Sequence, residues 1–520
     1  MVPFIADLLR PDAYPRPRPT HISLVTTHIS WVFLTDREVW KLKRPVNYGF
    51  VDYTTIGRRR HFCEEEVRLN RRLAPDVYLG VMPLRIERGR FCFGWEGQIV
   101  DYAVRMRRLP VAASADALLD RGHLTPRHLS RLAERLSRFY DETGHVTVKD
   151  FLDGLQAKVT QNFDQTRSFI ERFVAPATFD AVHTWQIESL TRAAEQFRTR
   201  SVQGHVRDGH GDLRLEHVYF ESESSEPLVI DAIEFNDLFR IDDVASDVGF
   251  LAMELDARGR HDLAESFLGT FALEANDYDL YAVIDFYLSY RAWVRAKVAC
   301  FLAADPSTPP EKAARKAAEA RMLFDRAASY AGGHAEAGPV IVVGGLMGAG
   351  KSTLATALGE SLGLPVISSD RTRKHLAGIA ASERAPDAAY SPPFSRRTFD
   401  EMFRRAGVVL DSGRGVILDA TFRDRQLRNR AREQARHHHR PFRFVEAICD
   451  ETTLRERLRR RSGLRSVSDA TEGVLDRLRA EFEPPTEFGA VEHVAVRTTD
   501  PLATQVDAVR QTVAATEFAR

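Results

Sequence analysis

The chain has 520 residues, which is too long for one ordinary domain and fits two or three. Lys plus Arg and Asp plus Glu number 73 each, so the formal net charge is zero, which argues against a generally basic nucleic-acid coat or an acidic tail protein. Hydrophobic residues make up 44% and charged residues 28%, a mixture typical of a globular chain that buries a core rather than of a disordered one.

The cysteines and the apolar runs suggest a cellular compartment. The four cysteines, Cys63, Cys92, Cys300 and Cys449, are scattered without the clustering of a disulfide framework or a zinc site, which favours a reducing cytoplasm. No run of about 18 apolar residues is present, so we expect no membrane partner. Asp7 interrupts the apolar start of the chain, which reads as mature protein rather than as a signal peptide.

The first half begins with strand signals and continues with helical ones. WVFLTDREVWKLK (31–43) predicts a β-hairpin, and HFCEEEVRLNRRL (61–73) predicts a helix. More strand signal follows in two segments, 77–95 and 98–109. Helical periodicity then dominates from about 112 to 200.

Two short segments place carboxylates on a loop and at the end of a predicted strand. GHGDLRLEHVYF (209–220) places Asp212 on a loop, and LVIDAIEFND (228–237) predicts a strand that ends in Asp231. The pattern resembles HGDLHxxN…IDWE of the aminoglycoside and choline phosphotransferases, which are relatives of the protein kinases. The resemblance implies a bilobal protein-kinase-like fold that uses ATP and Mg²⁺.

The same resemblance implies roles for individual residues. Asp212 would be the catalytic base, Asp231 would hold Mg²⁺ with Glu234 as a further candidate, and His210 would brace the loop. The asparagine expected five residues after Asp212 is His217, and Mg²⁺ prefers hard oxygen ligands, so an imidazole is a poor metal ligand here. This departure counts against turnover at the site more than against the fold.

Earlier elements fall in the order that the resemblance requires. The strand VWKLK offers Lys41, the better match, or Lys43 as the lysine that reaches the α- and β-phosphates. Glu66 aligns with the helix glutamate that pairs with this lysine. DYAVRMRRLP resembles the connector between lobes, where backbone groups near Met106 and Arg108 would contact adenine.

Three further features belong to this half. TTHISWVF (26–33) takes the place of the nucleotide-covering loop but lacks its glycines. Asp247 resembles the buried aspartate that braces the catalytic loop in this family. Arg291 and Arg295 share a helix face and either bind an anionic substrate or form a surface stripe.

Small, flexible residues mark a boundary near residue 335. AGGHAEAGP (331–339) is typical of a linker, and strands and helices alternate after it, as in a parallel sheet covered by helices. We predict a kinase-like domain over 1–335, with a small lobe over about 1–108 and a helical lobe over about 109–330. A second domain follows over 336–520.

The second domain opens with a phosphate-binding loop. Residues 345–352 satisfy G-x-x-x-x-G-K-[ST] between a predicted strand and a predicted helix. Glycines let backbone N–H groups surround phosphate oxygens, and the helix N-terminus adds a favourable dipole. Lys351 is expected to reach the β- and γ-phosphates, and Ser352 to ligate Mg²⁺. The residues predicted to contact the nucleotide are Gly345, Leu346, Met347, Gly348, Ala349, Gly350, Lys351, Ser352 and Thr353.

The strand LPVISSD (364–370) ends in Asp370. Ligands of such sheets bind at the carboxyl ends of the strands, where a carboxylate can orient a hydroxyl and accept its proton. The alternative is that Asp370 only caps the following helix. Arg373, one helical turn later, is a candidate to hold an anionic group of the substrate.

Another predicted strand end and an arginine-rich helix complete this candidate site. The strand GVILDATF places Asp419 where it suits Mg²⁺ or its water, and Thr421 where it can contact substrate. Arg457 and Arg461 share a helix face ahead of SVSDAT (466–471), as in a kinase lid that neutralises transition-state charge. The alternative is a solvated basic helix.

These features resemble the small P-loop kinases of the gluconate-kinase, zeta-toxin and polynucleotide-kinase group over roughly 339–500. The resemblance implies phosphorylation of a hydroxyl by ATP without choosing the acceptor. The basic stretch 423–440 is compatible with RNA binding, but it lacks interleaved aromatic residues, so a solvated helix is the better interpretation.

The whole chain thus resembles bacterial fusions of an aminoglycoside-phosphotransferase-like domain with a P-loop kinase. The first hypothesis is a bifunctional phosphotransferase that uses ATP and Mg²⁺ on small-molecule hydroxyls. The second is a nucleotide-gated regulatory protein whose N-terminal domain binds ligand without turnover. A nucleic-acid 5′-hydroxyl kinase is a third, less favoured hypothesis.

Overall fold

An antiparallel sheet of six strands forms the first part of the molecule. The computed structural model describes residues 3–49, 51–333, 338–461 and 479–517. The strands of this sheet are β1 (Ile22–Thr26), β2 (Ser30–Thr35), β3 (Glu38–Lys43), β4 (Tyr78–Glu87), β5 (Arg90–Cys92) and β6 (Gln98–Arg107). Their order is β1-β2-β3-β6-β4-β5, so the predicted hairpin lies at β2 and β3.

Along the chain, α1 precedes the strands of this sheet, α2 lies between β3 and β4, and the other helices follow. Those that precede residue 335 are α1 (Pro3–Leu8), α2 (Ile56–Asn70), α3 (Ala115–Asp120), α4 (Pro126–Thr143), α5 (Phe151–Thr166), α6 (Pro176–Arg192), α7 (Ala194–Val202), α8 (Asp237–Arg240), α9 (Val244–Ala257), α10 (His261–Glu274), α11 (Ile284–Ala304) and α12 (Pro310–Ala331). Helices α3 to α7 agree with the helical periodicity that the sequence shows from about 112 to 200.

Helix α2 begins five residues before the predicted start. The side chain of Thr55 accepts a hydrogen bond from the N–H of Arg58, which satisfies one of the donors at the helix start. Cys63 and Val67 on the inner face of α2 are buried against Val104 of the sheet. This packing fixes α2, and therefore Glu66, beside the sheet.

Two small antiparallel ribbons frame the segments with the kinase-like motifs. Strand β7 (Val206–Asp208) pairs with β10 (Ile241–Asp243), and β8 (Val218–Tyr219) pairs with β9 (Leu228–Val229). The loop that contains Asp212 leaves β7 and the loop that contains Asp231 leaves β9. Both loops are thereby anchored at their strand ends.

A parallel five-stranded sheet forms the core of the later part. Its strands are β11 (Val340–Gly344), β12 (Val366–Ser368), β13 (Val416–Asp419), β14 (Phe442–Ile448) and β15 (His493–Arg497). The order is β12-β13-β11-β14-β15, and every neighbouring pair is parallel. Apolar residues of the strands are buried against the helices, as expected for a sheet covered on both faces.

The helices around this sheet alternate with its strands. They are α13 (Lys351–Leu362), α14 (Ser369–Leu376), α15 (Pro392–Asp411), α16 (Arg425–His437), α17 (Glu451–Arg461) and α18 (Leu502–Glu517). The carboxyl ends of β11, β12 and β13 therefore meet at one edge, next to the starts of α13 and α14. Lys351, Asp370 and Asp419 all lie at this edge.

By spatial contact the chain divides into two compact units. One comprises 1–148 and 201–251, and the other comprises 149–200 and 252–520. The second unit thus contains α10 to α12 together with the parallel sheet, while the predicted domain boundary at residue 335 stays a prediction. No helix within the described ranges is long and apolar enough to cross a membrane.

Candidate functional site

Lys41 is the centre of an ion cluster in the first unit. Its Nζ lies 2.9 Å from Oε1 of Glu66 on α2 and 2.6 Å from Oδ1 of Asp231. Glu66 is fully buried, and the side chain of Lys41 is 14% exposed. Burial opposes the charge of Lys41, but the carboxylates of Asp231 and Glu66 outweigh it and hold the pKa of this lysine well above its ordinary value. The structure therefore contains the lysine–glutamate pair that the resemblance implied.

A second buried lysine extends the cluster, which the sequence offered only as an alternative. Lys43 is two residues from Lys41, so both side chains leave the same face of β3. Its Nζ lies 2.7 Å from Oε2 of Glu66 and also contacts Glu234, whose carboxylate accepts a further bond from the hydroxyl of Tyr53. In the structure Glu234 therefore belongs to this buried cluster, and its predicted assistance to Asp231 with Mg²⁺ stays a prediction.

Asp231 is held in an unusual backbone conformation. Its φ is +66°, a left-handed value that a non-glycine residue keeps only when its surroundings fix it. The hydroxyl of Tyr78 accepts the N–H of Asp231 at 3.0 Å, and the side chain of Asn70 accepts the N–H of Ala232 at 2.8 Å. Burial raises the pKa of Asp231, but the charge of Lys41 more than offsets this, so the pKa lies well below its ordinary value. Tyr78 and Asn70 carried no sequence signal for this role.

Asp247 and His210 brace the loop that carries Asp212. The carboxylate of Asp247 accepts the N–H groups of His210 at 2.6 Å and of Gly211 at 2.8 Å. Nε2 of His210 lies 2.9 Å from the carbonyl oxygen of Ile230, and Nδ1 accepts the N–H of Asp212. This pattern requires a neutral imidazole, and burial accordingly lowers the pKa of His210.

His217 lies between the two predicted catalytic carboxylates. Its Nδ1 is 2.9 Å from the carbonyl oxygen of Asp212, so this nitrogen donates, and Nε2 lies 3.7 Å from Oδ2 of Asp231. The residue thus stands where the resemblance expects the second metal ligand. It presents a nitrogen to a cation that prefers oxygen, so Asp231 fits Mg²⁺ better than His217 does.

The predicted adenine contacts lie at the end of β6. The backbone of Met106 lies between β3 and β4, opposite Val39 and Tyr78. The N–H of Arg108 donates to the carbonyl of Arg37 at 2.8 Å. Contact of these backbone groups with a nucleotide base stays a prediction.

The start of the phosphate-binding loop is held by backbone groups near the ends of β13 and β14. The N–H of Gly345 donates to the carbonyl of Thr421 at 3.1 Å. Gly345 has a φ of +134°, and a Cβ added there would lie 2.5 Å from the carbonyl oxygen of Ala447, so only glycine fits. The ammonium of Lys351 donates to the carbonyl of Leu346 at 2.8 Å, which holds the side chain against the loop. Residues 346–350 complete the loop, and Thr353 follows in the first turn of α13.

Four side chains predicted for the phosphoryl-transfer site come together at the strand ends. Asp419 is 4% exposed and accepts a hydrogen bond from Ser352. Burial is the main cause that raises the pKa of Asp419 to about 6; the charge of Lys351 and the Ser352 bond oppose it, and the charge of Asp370 adds to it. Ser352 and Asp419 are hard oxygen ligands, and Mg²⁺ typically uses one or two of these together with nucleotide phosphates, so these residues fit the ion.

Arg373 is more buried than a ligand-binding arginine on a helix surface. Its Nη1 donates to the carbonyl of Ala389 at 2.5 Å and lies 3.2 Å from the hydroxyl of Ser395. The guanidinium also lies over the ring of Tyr390, 4.9 Å from its centre. These contacts attach the segment 389–395 to α14, and the predicted role of Arg373 toward substrate stays a prediction.

Arg457 lies directly beside the phosphate-binding loop. Its guanidinium donates to the hydroxyl of Thr498 at 2.9 Å and to the carbonyl of the same residue at 2.8 Å. A Cβ added at Gly350 would lie 3.2 Å from Nη1 of Arg457. Sequence reasoning missed Thr498, which follows β15 far along the chain. The side chain of Arg461 and the SVSDAT segment lie outside the described residues.

The basic stretch forms α16, but it is not simply solvated. Arg428 is fully buried, whereas three other arginines of this stretch pair with carboxylates that are more exposed. These pairs are Arg423–Glu481, Arg430–Asp400 and Arg432–Glu492. In the part of the chain that the structure describes, no three His, Cys, Asp or Glu side chains form a group able to hold a metal ion by themselves.

A family model matches the later part of the chain, and two mycobacterial proteins match most of its length. The AAA domain family matches residues 340–485. "Uncharacterized protein Rv2004c" of Mycobacterium tuberculosis (strain ATCC 25618 / H37Rv) is 30% identical over 478 residues, which covers 90% of this chain and 92% of the relative. "Uncharacterized protein Mb2027c" of Mycobacterium bovis (strain ATCC BAA-935 / AF2122/97) matches to the same extent.

Solved structures also resemble separate parts of the chain. A gluconokinase from Sinorhizobium meliloti 1021 is 27% identical and covers 34% of this chain and 93% of its own, with a TM-score of 0.26. A putative aminoglycoside phosphotransferase from Ralstonia eutropha JMP134 is 12% identical and covers 60% of this chain and 92% of its own, with a TM-score of 0.36.

The predicted fold class is confirmed. The phosphate-binding loop, the parallel sheet and the AAA domain match identify a P-loop nucleotide-binding domain of kinase type in the later part. The Lys41–Glu66–Asp231 cluster and the braced Asp212 loop identify a protein-kinase-like arrangement in the earlier part.

Proposed function

The chain belongs to the family of the mycobacterial protein Rv2004c, and we propose that it is an ATP-dependent phosphotransferase whose P-loop site phosphorylates a hydroxyl of a small molecule. The observation that carries this proposal is the convergence of Lys351, Ser352, Asp370 and Asp419 at one edge of the parallel sheet. Phosphoryl transfer depends mainly on positioning and charge neutralisation, and these residues supply both.

Each of these residues has a distinct task. Lys351 neutralises the β- and γ-phosphates, and Arg457 adds positive charge beside the loop. Mg²⁺, when bound through Ser352 and Asp419, would neutralise further phosphate charge. Asp370 orients the acceptor hydroxyl and takes its proton as the acceptor oxygen bonds to the γ-phosphorus. The bond to the β–γ bridging oxygen breaks, and its electron pair leaves with ADP.

For the earlier site we propose ATP-dependent transfer with Asp212 as the base and Asp231 as the Mg²⁺ ligand, which makes the protein bifunctional. Lys41, paired with Glu66, would contact the α- and β-phosphates. A second candidate function is nucleotide binding without turnover, in which this domain regulates the other. The position of His217 between Asp212 and Asp231 favours that alternative.

A screen of the full chain with γ-labelled ATP tests both sites at once. The acceptors are sugars, sugar acids, aminoglycosides, other small alcohols and 5′-hydroxyl oligonucleotides. We expect Lys351→Ala and Asp370→Asn each to reduce labelling at the P-loop site by about a hundredfold or more, since transition-state contacts are lost. Lys312→Ala, at an exposed position of α12, is the control and leaves labelling unchanged.

The outcomes separate the alternatives. Full labelling of every acceptor in both Lys351→Ala and Asp370→Asn contradicts the P-loop assignment. Labelling that survives Lys351→Ala but is lost in Asp212→Asn supports turnover at the earlier site. If Asp212→Asn loses no labelling with any acceptor while the full chain still binds a second nucleotide, the regulatory alternative holds.

A further inference from the structure

Helix α14 carries the acceptor side of the P-loop site, and residues far earlier in the chain hold it. Asp370 lies in its first turn, and the next three residues each contact a neighbouring segment. Arg371 contacts the end of α10 directly, and the turn after α10 is linked to Thr372 through Arg405 of α15. Both parts lie in the same compact unit as the parallel sheet. The acceptor helix is therefore not braced by the P-loop domain alone.

The first attachment is a two-pronged ion pair. The guanidinium of Arg371, the residue after Asp370, lies 2.6 Å and 3.1 Å from the two carboxylate oxygens of Glu274. The side chain of Arg371 is 21% exposed and that of Glu274 is 23% exposed. A bidentate pair in this setting fixes orientation better than a solvated one, because water competes less and two parallel bonds define the geometry.

The second attachment passes through a buried arginine. Arg405 of α15 donates to the side-chain oxygen of Asn276 at 2.8 Å and to the hydroxyl of Thr372 at 3.3 Å. Its guanidinium also lies over the ring of Tyr278, 5.2 Å from the centre. Thr372 is fully buried, so this link reaches α14 from the side opposite to solvent.

The strand that leads into α14 is fixed from the same direction. The hydroxyl of Tyr278 donates to the carbonyl of Val366 in β12 at 2.5 Å. Gly269 of α10 lies so close to Pro365 that an added Cβ would be 3.2 Å from its Cα. Strand and helix are thus held on both sides of Asp370.

We propose that Glu274 and Asn276 are positioning residues for the acceptor side of the P-loop site, acting through Arg371 and Arg405 on the placement of Asp370. This inference rests on the proposed phosphotransfer at that site. Nucleotide binding depends on the phosphate-binding loop, which Glu274 and Asn276 do not contact. Their loss therefore lowers the rate of transfer and leaves ATP affinity unchanged.

The test uses the full chain with ATP and water or a screened acceptor. Glu274→Gln is expected to lower kcat about tenfold with KM for ATP unchanged, since small misplacements of a reacting group are costly. Asn276→Ala is also expected to lower kcat with KM for ATP unchanged. The charge swap Glu274→Arg with Arg371→Glu restores kcat to within about threefold, because it rebuilds the pair. Glu319→Gln, which breaks a comparably buried pair with Arg295, is the control and leaves kcat unchanged.

The results distinguish this inference from the proposed function. If Lys351→Ala lowers turnover and Glu274→Gln does not, the positioning role is overturned and the proposed function stands. If Lys351→Ala has no effect on turnover, the proposed function fails first, and the positioning role fails with it. If Glu274→Gln weakens the binding of a fluorescent ADP analogue by the same factor as it lowers ATP turnover, the fold is generally damaged and the inference is overturned. Thermal melting of each variant identifies such damage independently.

Discussion

At the scale of single residues, the two candidate sites handle buried charge in opposite ways. In the first unit, Lys41 and Lys43 are matched by three carboxylates, so the charge of each lysine has a partner. Removing one partner of such a cluster is costly, because it leaves an uncompensated charge in a buried place. Asp419 instead lies in a buried position that favours its protonated form.

The raised pKa of Asp419 has a consequence for stability. Its pKa is about 6 in the folded chain against an ordinary value of 3.8. Between these values the unfolded chain has already lost the proton while the folded chain keeps it, so stability falls as pH rises from about 4 to 6. The free energy of unfolding is lower by about 3 kcal/mol above pH 6. A bound cation would favour the charged form and offset it.

Asp419→Asn is therefore expected to stabilise the nucleotide-free chain in a pH-dependent way. The increase in Tm at pH 7.5 should be about twice that at pH 5, because only part of the penalty is present at the lower pH. Thermal melting of both proteins at the two pH values measures this. Asp507→Asn, at an exposed position of α18, is the control and should shift Tm equally at both. A pH-independent effect of Asp419→Asn would contradict the assignment.

At the scale of secondary-structure elements, α16 organises the segment that follows the undescribed residues 462–478. The guanidinium of Arg428 is enclosed by the carboxylate of Glu487 and by the carbonyls of Phe422, Glu483 and Pro484. Nε also contacts Glu487. One arginine thus joins the end of β13 to the segment that leads toward β15.

Arg428→Lys is expected to destabilise the chain by about 3 kcal/mol, since lysine keeps the charge but cannot reproduce the planar fork and leaves buried acceptors unpaired. Urea unfolding followed by circular dichroism measures this loss. Arg436→Lys, at an exposed position of the same helix, should change stability by less than about 0.5 kcal/mol. Equal stability of Arg428→Lys and the unaltered chain would mean that this enclosed cluster is not a structural anchor.

The elements also show what the sequence could and could not predict. The phosphate-binding loop is contiguous, so its glycines, Lys351 and Ser352 were identifiable from spacing alone. The Lys41–Glu66 pair was implied by the order of sequence motifs, which resembles that of the aminoglycoside and choline phosphotransferases. The partners Lys43–Glu234 and Arg457–Thr498 were missed because they are 191 and 41 residues apart and follow no local period. Burial of Arg428 was missed because a basic helix surface and a buried arginine look alike in sequence.

At the scale of the whole molecule, the zero net charge reflects local pairing as well as overall balance. By sequence the arginines of 423–440 are compatible with a polyanion site, yet Arg423 and Arg432 each pair with a carboxylate of the later segment, Glu481 and Glu492. Positive charge that is already neutralised within the chain releases few counterions when it meets a phosphate backbone. The molecule therefore offers little reason for strong nucleic-acid binding through this surface.

This argument predicts a shallow salt dependence for the binding of a 5′-hydroxyl oligonucleotide to the full chain. The slope of log K against log salt concentration should be no steeper than about −2, because Arg423, Arg430 and Arg432 of the described basic stretch already pair with carboxylates. Fluorescence anisotropy at several salt concentrations measures it. The double variant Glu481→Gln with Glu492→Gln releases Arg423 and Arg432 from their partners, and its slope should steepen by about 1 to 2. A slope of about −4 or steeper in the unaltered chain would instead favour a nucleic-acid 5′-hydroxyl kinase, with a phosphate-binding surface elsewhere on the molecule.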